Sequence, residues 1–236
     1  MSINRNLRQL PTKIRLFLVS GAIAGPLFTV VWIIESATRA YYNPLRHPVS
    51  SLALGDFGWT QIANFIVAGF LSLAFAIGLW FALRPQRGAT WGPLLVAIWG
   101  IGLLGAGIFI TDPVSGYPPG TPDLLMNSTS HGALHDQFSL VGFLALTVAC
   151  FVFSYRFASK GERGWALYSA IIGLLFPVGI VLASVSFSQN ESLVAFGGLI
   201  QRVTVTLGWT WLSLLAIHLL RTLPKMTGGK STQNLE

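Results

Sequence analysis

Six long apolar stretches constrain this chain more than any other feature. They run near 16–36, 59–83, 92–111, 137–157, 164–187 and 196–220. Each is about 19–25 residues, long enough to cross the hydrocarbon core of a bilayer as a helix. Of 236 residues, 53% are hydrophobic and only 10% are charged, whereas soluble domains carry roughly 25% charged residues. A water-soluble fold of this size has no room to hide so much apolar surface. The sequence therefore predicts an all-α fold, a polytopic transmembrane bundle of six helices in contact with membrane lipids.

The basic residues set the expected orientation, because Lys and Arg collect in cytoplasmic loops. Arg5, Arg8, Lys13 and Arg15 precede the first stretch, Arg84 and Arg87 follow the second, Arg156, Lys160 and Arg163 follow the fourth, and Arg221, Lys225 and Lys230 follow the sixth. Only Arg39, Arg46 and Arg202 fall on the other side, which takes six of the eight acids. Both termini are expected in the cytoplasm, which agrees with an even helix count. The net charge of +7 is thus accounted for by topology, without nucleic acid. The expected organisation is a basic cytoplasmic tail over 1–15, the six-helix domain over 16–221 and a disordered polar cytoplasmic tail over 222–236.

The first apolar run exceeds the ~7–15 residues of a signal-peptide core. No small-residue cleavage site follows it, so it reads as an uncleaved helix. The compact chain with short linkers suggests a bacterial or archaeal plasma (inner) membrane. On that reading the sequons at Asn127 and Asn190 have no role. Cys150 has no second cysteine to pair with.

Small residues mark close helix contacts. Gly21 and Gly25 form a GxxxG spacing ahead of Pro26, and Gly100, Gly102 and Gly105 form a GxGxxG pattern. A dinucleotide fingerprint needs a strand before such a pattern. Here it lies inside a spanning helix and reads as a packing surface, within the chain or in a homo-oligomer. Trp59, Trp91, Tyr155 and Trp165 fall at predicted helix ends, where interfacial aromatics belong.

The candidate chemistry lies in two loops on the outer side. Thr111 to Asp136 is polar and turn-rich, with four prolines, three acids and no Lys or Arg. It ends in His131-x-x-x-His135, two rings on one helical face, with Asp136 adjacent and Asp112 at the loop's start. One of Ser128, Thr129 and Ser130 is expected to cap the helix that follows. The preceding outer loop holds His47, Ser51 and Asp56. Three imidazoles and a carboxylate suit zinc, and zinc-bound water ionises near neutral pH. In that reading His47, His131, His135 and Asp112 are metal ligands, and Asp112, Asp136 and Ser51 supply catalytic groups. The competing reading is a hydrogen-bonded polar cap, with proton-relay and ligand-recognition roles also open. Glu35 and Arg202 are charges at membrane depth. Such charges need partners, so a Glu35–Arg202 pair is expected. His218, at the opposite end, reads as structural.

Several segments together resemble the domain of unknown function (DUF) 998 family of prokaryotic membrane proteins. They are His47-Pro-Val-Ser-Ser-Leu, Trp59-x-Gln61-x-x-Asn64-Phe65, Gly107-Ile-Phe-x-x-Asp112-Pro113, His131-Gly-x-x-His135 and Gly198-x-x-Gln201-Arg202. The resemblance implies a six-helix integral membrane protein and carries no established activity. The Ser, Asp, His and HxxxH set is also loosely similar to that of the alkaline ceramidase and adiponectin-receptor group of membrane zinc hydrolases. Those have seven helices and carry HxxxH in the last. Two functions follow as expectations: a zinc-dependent hydrolase acting on a lipid or amide, or a non-enzymatic protein such as a small-molecule binder, transporter subunit or envelope-stress factor.

Overall fold

A computed structural model describes residues 12–84 and 89–222. The expected tails lie almost wholly outside the described residues, as does Arg87. Six helices form: α1 Thr12–Thr38, α2 Gly58–Leu83, α3 Trp91–Ile108, α4 Ser130–Ser159, α5 Arg163–Phe187 and α6 Gly197–Thr222. All six are long and apolar enough to cross a membrane, so the protein is an integral membrane protein of the all-α class. Among the described residues there is no strand, only an isolated bridge between Val114 and Tyr117.

Helix α1 begins at Thr12 rather than near 16, and two boundaries beside the candidate loops also differ from the sequence reading. The fourth helix begins at Ser130 rather than near 137, so both HxxxH histidines sit inside it. Its N-cap is Thr129, whose side chain accepts from the Gly132 N–H at 3.0 Å. The third helix ends at Ile108 rather than near 111. Hydropathy blurred both ends, because apolar residues continue past α3 and polar capping residues already belong to α4.

Each helix packs on its neighbours in sequence, and α6 closes onto α1. The result is a ring of six helices. A chain of aromatic contacts runs through it with one residue from each helix. Phe65 meets Phe28 at 5.5 Å, Phe28 meets Trp209 at 5.3 Å, and Trp209 meets Trp99 at 5.3 Å. Trp99 then meets Phe143 at 6.0 Å, and Phe143 meets Phe176 at 5.8 Å. Tilted and edge-on pairs of this kind add about 0.5–1.5 kcal/mol each beyond burial.

Glycine lets the backbones approach closely enough for this layer to form. A Cβ on Gly102 would meet the Phe138 carbonyl and Gly142 of α4, while one on Gly100 would meet Gly69 and Leu73 of α2. Gly21 faces Phe75 of α2, and Gly25 faces Ser213 and Trp209 of α6. The small-residue faces that the sequence offered for self-association are thus filled within the chain. Buried polar cross-links add to the packing, such as Trp211 Nε1–H to Ser169 Oγ at 3.0 Å. Each is worth about 0.6–2 kcal/mol in a membrane.

Exposed aromatics mark the ends of the ring. Trp59, Trp91 and Tyr155 are about two-thirds exposed, as an interfacial belt requires. One end carries the short connection at 160–162. There His218 Nε2 meets Glu162 Oε2 at 2.8 Å and packs on Trp165, so its ring is satisfied within the protein. The other end gathers the loops 39–57, 109–129 and 188–196 and carries the candidate site.

Candidate functional site

The first loop is held down by Arg202, buried in the first turns of α6. Its Nη1 donates to the carbonyls of Pro44 at 2.6 Å, His47 at 2.8 Å and Gly198 at 3.0 Å. Its Nη2 donates to Ser36 Oγ at 3.3 Å and to Tyr42 Oη. The Trp32 face lies 5.3 Å from the guanidinium. A buried cation is costly unless such acceptors surround it. Here the acceptors are mostly backbone carbonyls, and the expected Glu35 partner is not among them. Glu35 is buried, and the groups that act on its carboxyl are Thr60 and Arg39 rather than Arg202. The pairing rule located a buried cation correctly, but loop carbonyls met its need instead of a carboxylate.

His47 is buried between two tyrosines, with Tyr42 at 5.4 Å and Tyr117 at 5.1 Å. Tyr117 belongs to the second loop, so the two loops do meet, as expected. Arg46 and Asp123 add a 2.7 Å ion pair between them. The Asn43 N–H donates to His47 Nδ1 at 2.9 Å, which commits that lone pair. Burial lowers the pKa of His47, opposed by a hydrogen bond to the Ser115 backbone, so its neutral form is favoured. Burial also pushes the Tyr42 phenol up to about 12, against the pull of Arg202. The tyrosine clamp was missed at the sequence level, because single tyrosines in two loops carry no spacing signal.

The second loop closes on α4 through Asp112. Its Oδ1 accepts from Thr129 Oγ1–H at 2.6 Å and its Oδ2 from the Thr129 N–H at 2.8 Å. A carboxylate at this helix start also offsets the positive end of the helix dipole. Next to it is Gly132, where the three nearest atoms to an added Cβ would all belong to the Asp112 carboxyl group. Glycine is required there for that contact.

One turn further on, His135 is buried against the end of α3. Its Nδ1 lies 3.0 Å from the Ala106 carbonyl and 2.9 Å from the Phe109 carbonyl. Both partners are acceptors, so Nδ1 carries a proton, and in the neutral ring Nε2 is the lone-pair acceptor. His131 is exposed, and its ring lies 5.7 Å from Phe109.

The three imidazoles therefore do not form a metal centre. No group of three or more His, Cys, Asp or Glu among the described residues could hold a metal ion. His47 is stacked and hydrogen-bonded within the first loop, His131 lies at the surface, and Asp112 is engaged by Thr129. The donor set among the described residues does not fit zinc. Ser51 is fully buried with no hydrogen bond from its hydroxyl, while Asp56 is exposed.

What these loops do enclose is a cavity of about 500 Å³. Its floor is the aromatic layer, contributed by Phe28, Phe65, Trp99, Phe143 and Trp209. Its upper wall carries Asp112, His135, Asp136, Ser128, Ser139 and Gln201. The Gln201 side-chain carbonyl accepts from the Val49 N–H at 2.8 Å, which fixes the first loop over the opening. The aromatic floor escaped sequence reasoning because its five members come from five separate helices, each surrounded by other apolar residues.

The fold and cavity together define a multi-pass membrane protein with a polar-walled internal pocket. The sequence model of one family, described as "Protein of unknown function (DUF998)", matches residues 22–218. The chain belongs to this family. No curated protein and no solved structure matches the chain.

Proposed function

We propose that this protein binds a small amphipathic molecule within the ring of helices, from the extracytoplasmic side of the cell membrane. The cavity carries the reading. About 500 Å³ lies within the roughly 300–1,000 Å³ range of small-molecule sites, which pair an apolar lining with a few polar groups. An apolar portion would rest on Trp99, Trp209 and Phe143, and a polar head would reach Asp136 and His135. Asp112, Arg202, Tyr42 and His47 hold the loops that bound the cavity. The basic-residue asymmetry supports the orientation with both chain ends in the cytoplasm.

The test fills the cavity. Ser139 lines it from α4, and Ser139→Trp places an indole inside. Leu144→Trp, at a lipid-exposed position, is the control. Protein purified in nanodiscs is examined by native mass spectrometry for retained small molecules. Wild type and Leu144→Trp are expected to retain the same ligand and Ser139→Trp to lose it. Equal retention in all three sinks the reading. Reporter fusions at Arg87 and Asp123 test orientation, and a cytoplasmic signal at Asp123 would overturn it.

A further inference from the structure

The full charges in the cavity wall are carboxylates, while its hydroxyls, the Gln201 amide and the unpartnered Trp99 Nε1–H can also donate, and the sign of that charge limits what a polar head can be. Among the described lining residues there is no Lys or Arg, while Asp112 and Asp136 both contribute carboxylates. Asp136 makes no hydrogen bond or ion pair among the described residues. His135 is 4% exposed, lines the cavity, and has no hydrogen-bond partner at Nε2 among the described residues because Nδ1 is turned to the α3 carbonyls. Asp112 is already bonded to Thr129, yet a carboxylate has about four acceptor sites and retains spare capacity.

The helix ends reinforce this. α3 ends at Ile108 and α5 at Phe187, each close to lining residues, and helix C-termini carry partial negative charge. The opposing start of α4 is covered by Asp112. Arg202, next in sequence to the lining residue Gln201, spends its guanidinium on Pro44, His47 and Gly198. An anionic head would meet two carboxylates with no free cation. A neutral alcohol could donate one hydrogen bond and would forgo the Coulombic attraction. A quaternary ammonium would keep that attraction but has no N–H for His135 Nε2.

We infer that the cavity recognises an amphiphile whose head is a protonated primary to tertiary amine, donating N–H to His135 Nε2 and Asp136 with its hydrocarbon portion on the aromatic floor. This rests on the binding function proposed above and names its ligand class.

The experiment compares probes with one ten-carbon tail and different heads. Decylamine, decanol, decyl sulfate and decyltrimethylammonium are titrated into the full chain in phosphatidylcholine nanodiscs at pH 7.4. The cavity-filled Ser139→Trp protein serves as the blank for partition into lipid. Decylamine is expected to bind saturably and about tenfold more tightly than decanol or decyltrimethylammonium, as charge-assisted hydrogen bonds predict. Decyl sulfate is expected to bind most weakly. Asp136→Asn should cut the decylamine preference by about tenfold while thermal unfolding of the protein is unchanged. Saturable binding with decanol equal to decylamine, or with decyl sulfate tighter, overturns the amine assignment and leaves the cavity reading standing. An Asp136→Asn protein that keeps the full preference also overturns it. No saturable binding by any probe, together with ligand retention equal in wild type and Ser139→Trp, removes the binding function itself.

Discussion

Gly132 and Asp112 make a prediction in which one substitution changes sign with its background. Gly132 is the third residue of α4, and an added Cβ would fall on the Asp112 carboxyl group. In Gly132→Ala the carboxylate has to swing away. It then loses its bonds to Thr129 Oγ1 at 2.6 Å and Thr129 N at 2.8 Å. Hydrogen bonds to charged groups contribute about 1.5–3 kcal/mol each, so their joint loss is worth about 3–6 kcal/mol. Alanine recovers up to ~1 kcal/mol through helix propensity, which leaves a net cost of about 2–5 kcal/mol. With Asp112→Ala already in place the obstructing carboxyl is gone. Gly132→Ala should then be neutral or stabilising by up to ~1 kcal/mol. The measurement is reversible unfolding in mixed micelles for the four proteins of a double-mutant cycle. A Gly132→Ala cost that is the same with and without Asp112 would show that the carboxylate is not what glycine accommodates, and would refute the reasoning.

Other outcomes follow from named contacts. Arg202→Met leaves the Pro44 and His47 carbonyls unpaired and should destabilise by about 3–5 kcal/mol. Arg202→Lys should fail to rescue it, since an ammonium cannot reproduce the guanidinium fork; unfolding of both variants is the check, and a wild-type-like Lys variant contradicts the staple. Burial lowers the pKa of His47, so the unfolded chain binds its proton more readily. The stability from this group is complete above its ordinary value of 6.5 and is lost as pH falls below it, at up to ~1.4 kcal/mol per pH unit. Protection factors across 39–50, taken relative to the intrinsic exchange rate at each pH, should therefore fall between pH 7.5 and 5.5 in wild type, and His47→Gln should abolish that fall. Gly105→Ala drives a methyl into the Phe138 ring between α3 and α4 and should cost about 1–3 kcal/mol, read as a lowered unfolding midpoint.

The loop-bearing end shows why some of the site was legible and the rest was not. His47, Asp112, His135 and Arg202 stood out because polar residues at the edge of apolar helices are costly unless they have work to do. Their partners did not stand out. Arg202 chose carbonyls over Glu35, Asp112 chose the Thr129 cap over a metal, and His47 chose Tyr42 and Tyr117. Each choice depends on angles and distances between loops far apart in sequence. The zinc expectation failed for the same reason: a residue inventory can list ligands, but only their placement makes a coordination sphere.

The sequence alone determined that the chain crosses a membrane and how often, because hydrophobic length and backbone hydrogen bonding in lipid leave few alternatives. It also marked the close-packing positions, since glycine is the residue that lets two helix backbones touch. The tertiary structure decided that the helices close into a ring, that the glycines on α1 and α3 are used inside it, and that aromatics from five helices form one floor. It also decided that the polar cluster surrounds a cavity instead of an ion. Those are consequences of which side of each helix faces inward, and a uniformly apolar helix does not write that choice in its hydropathy.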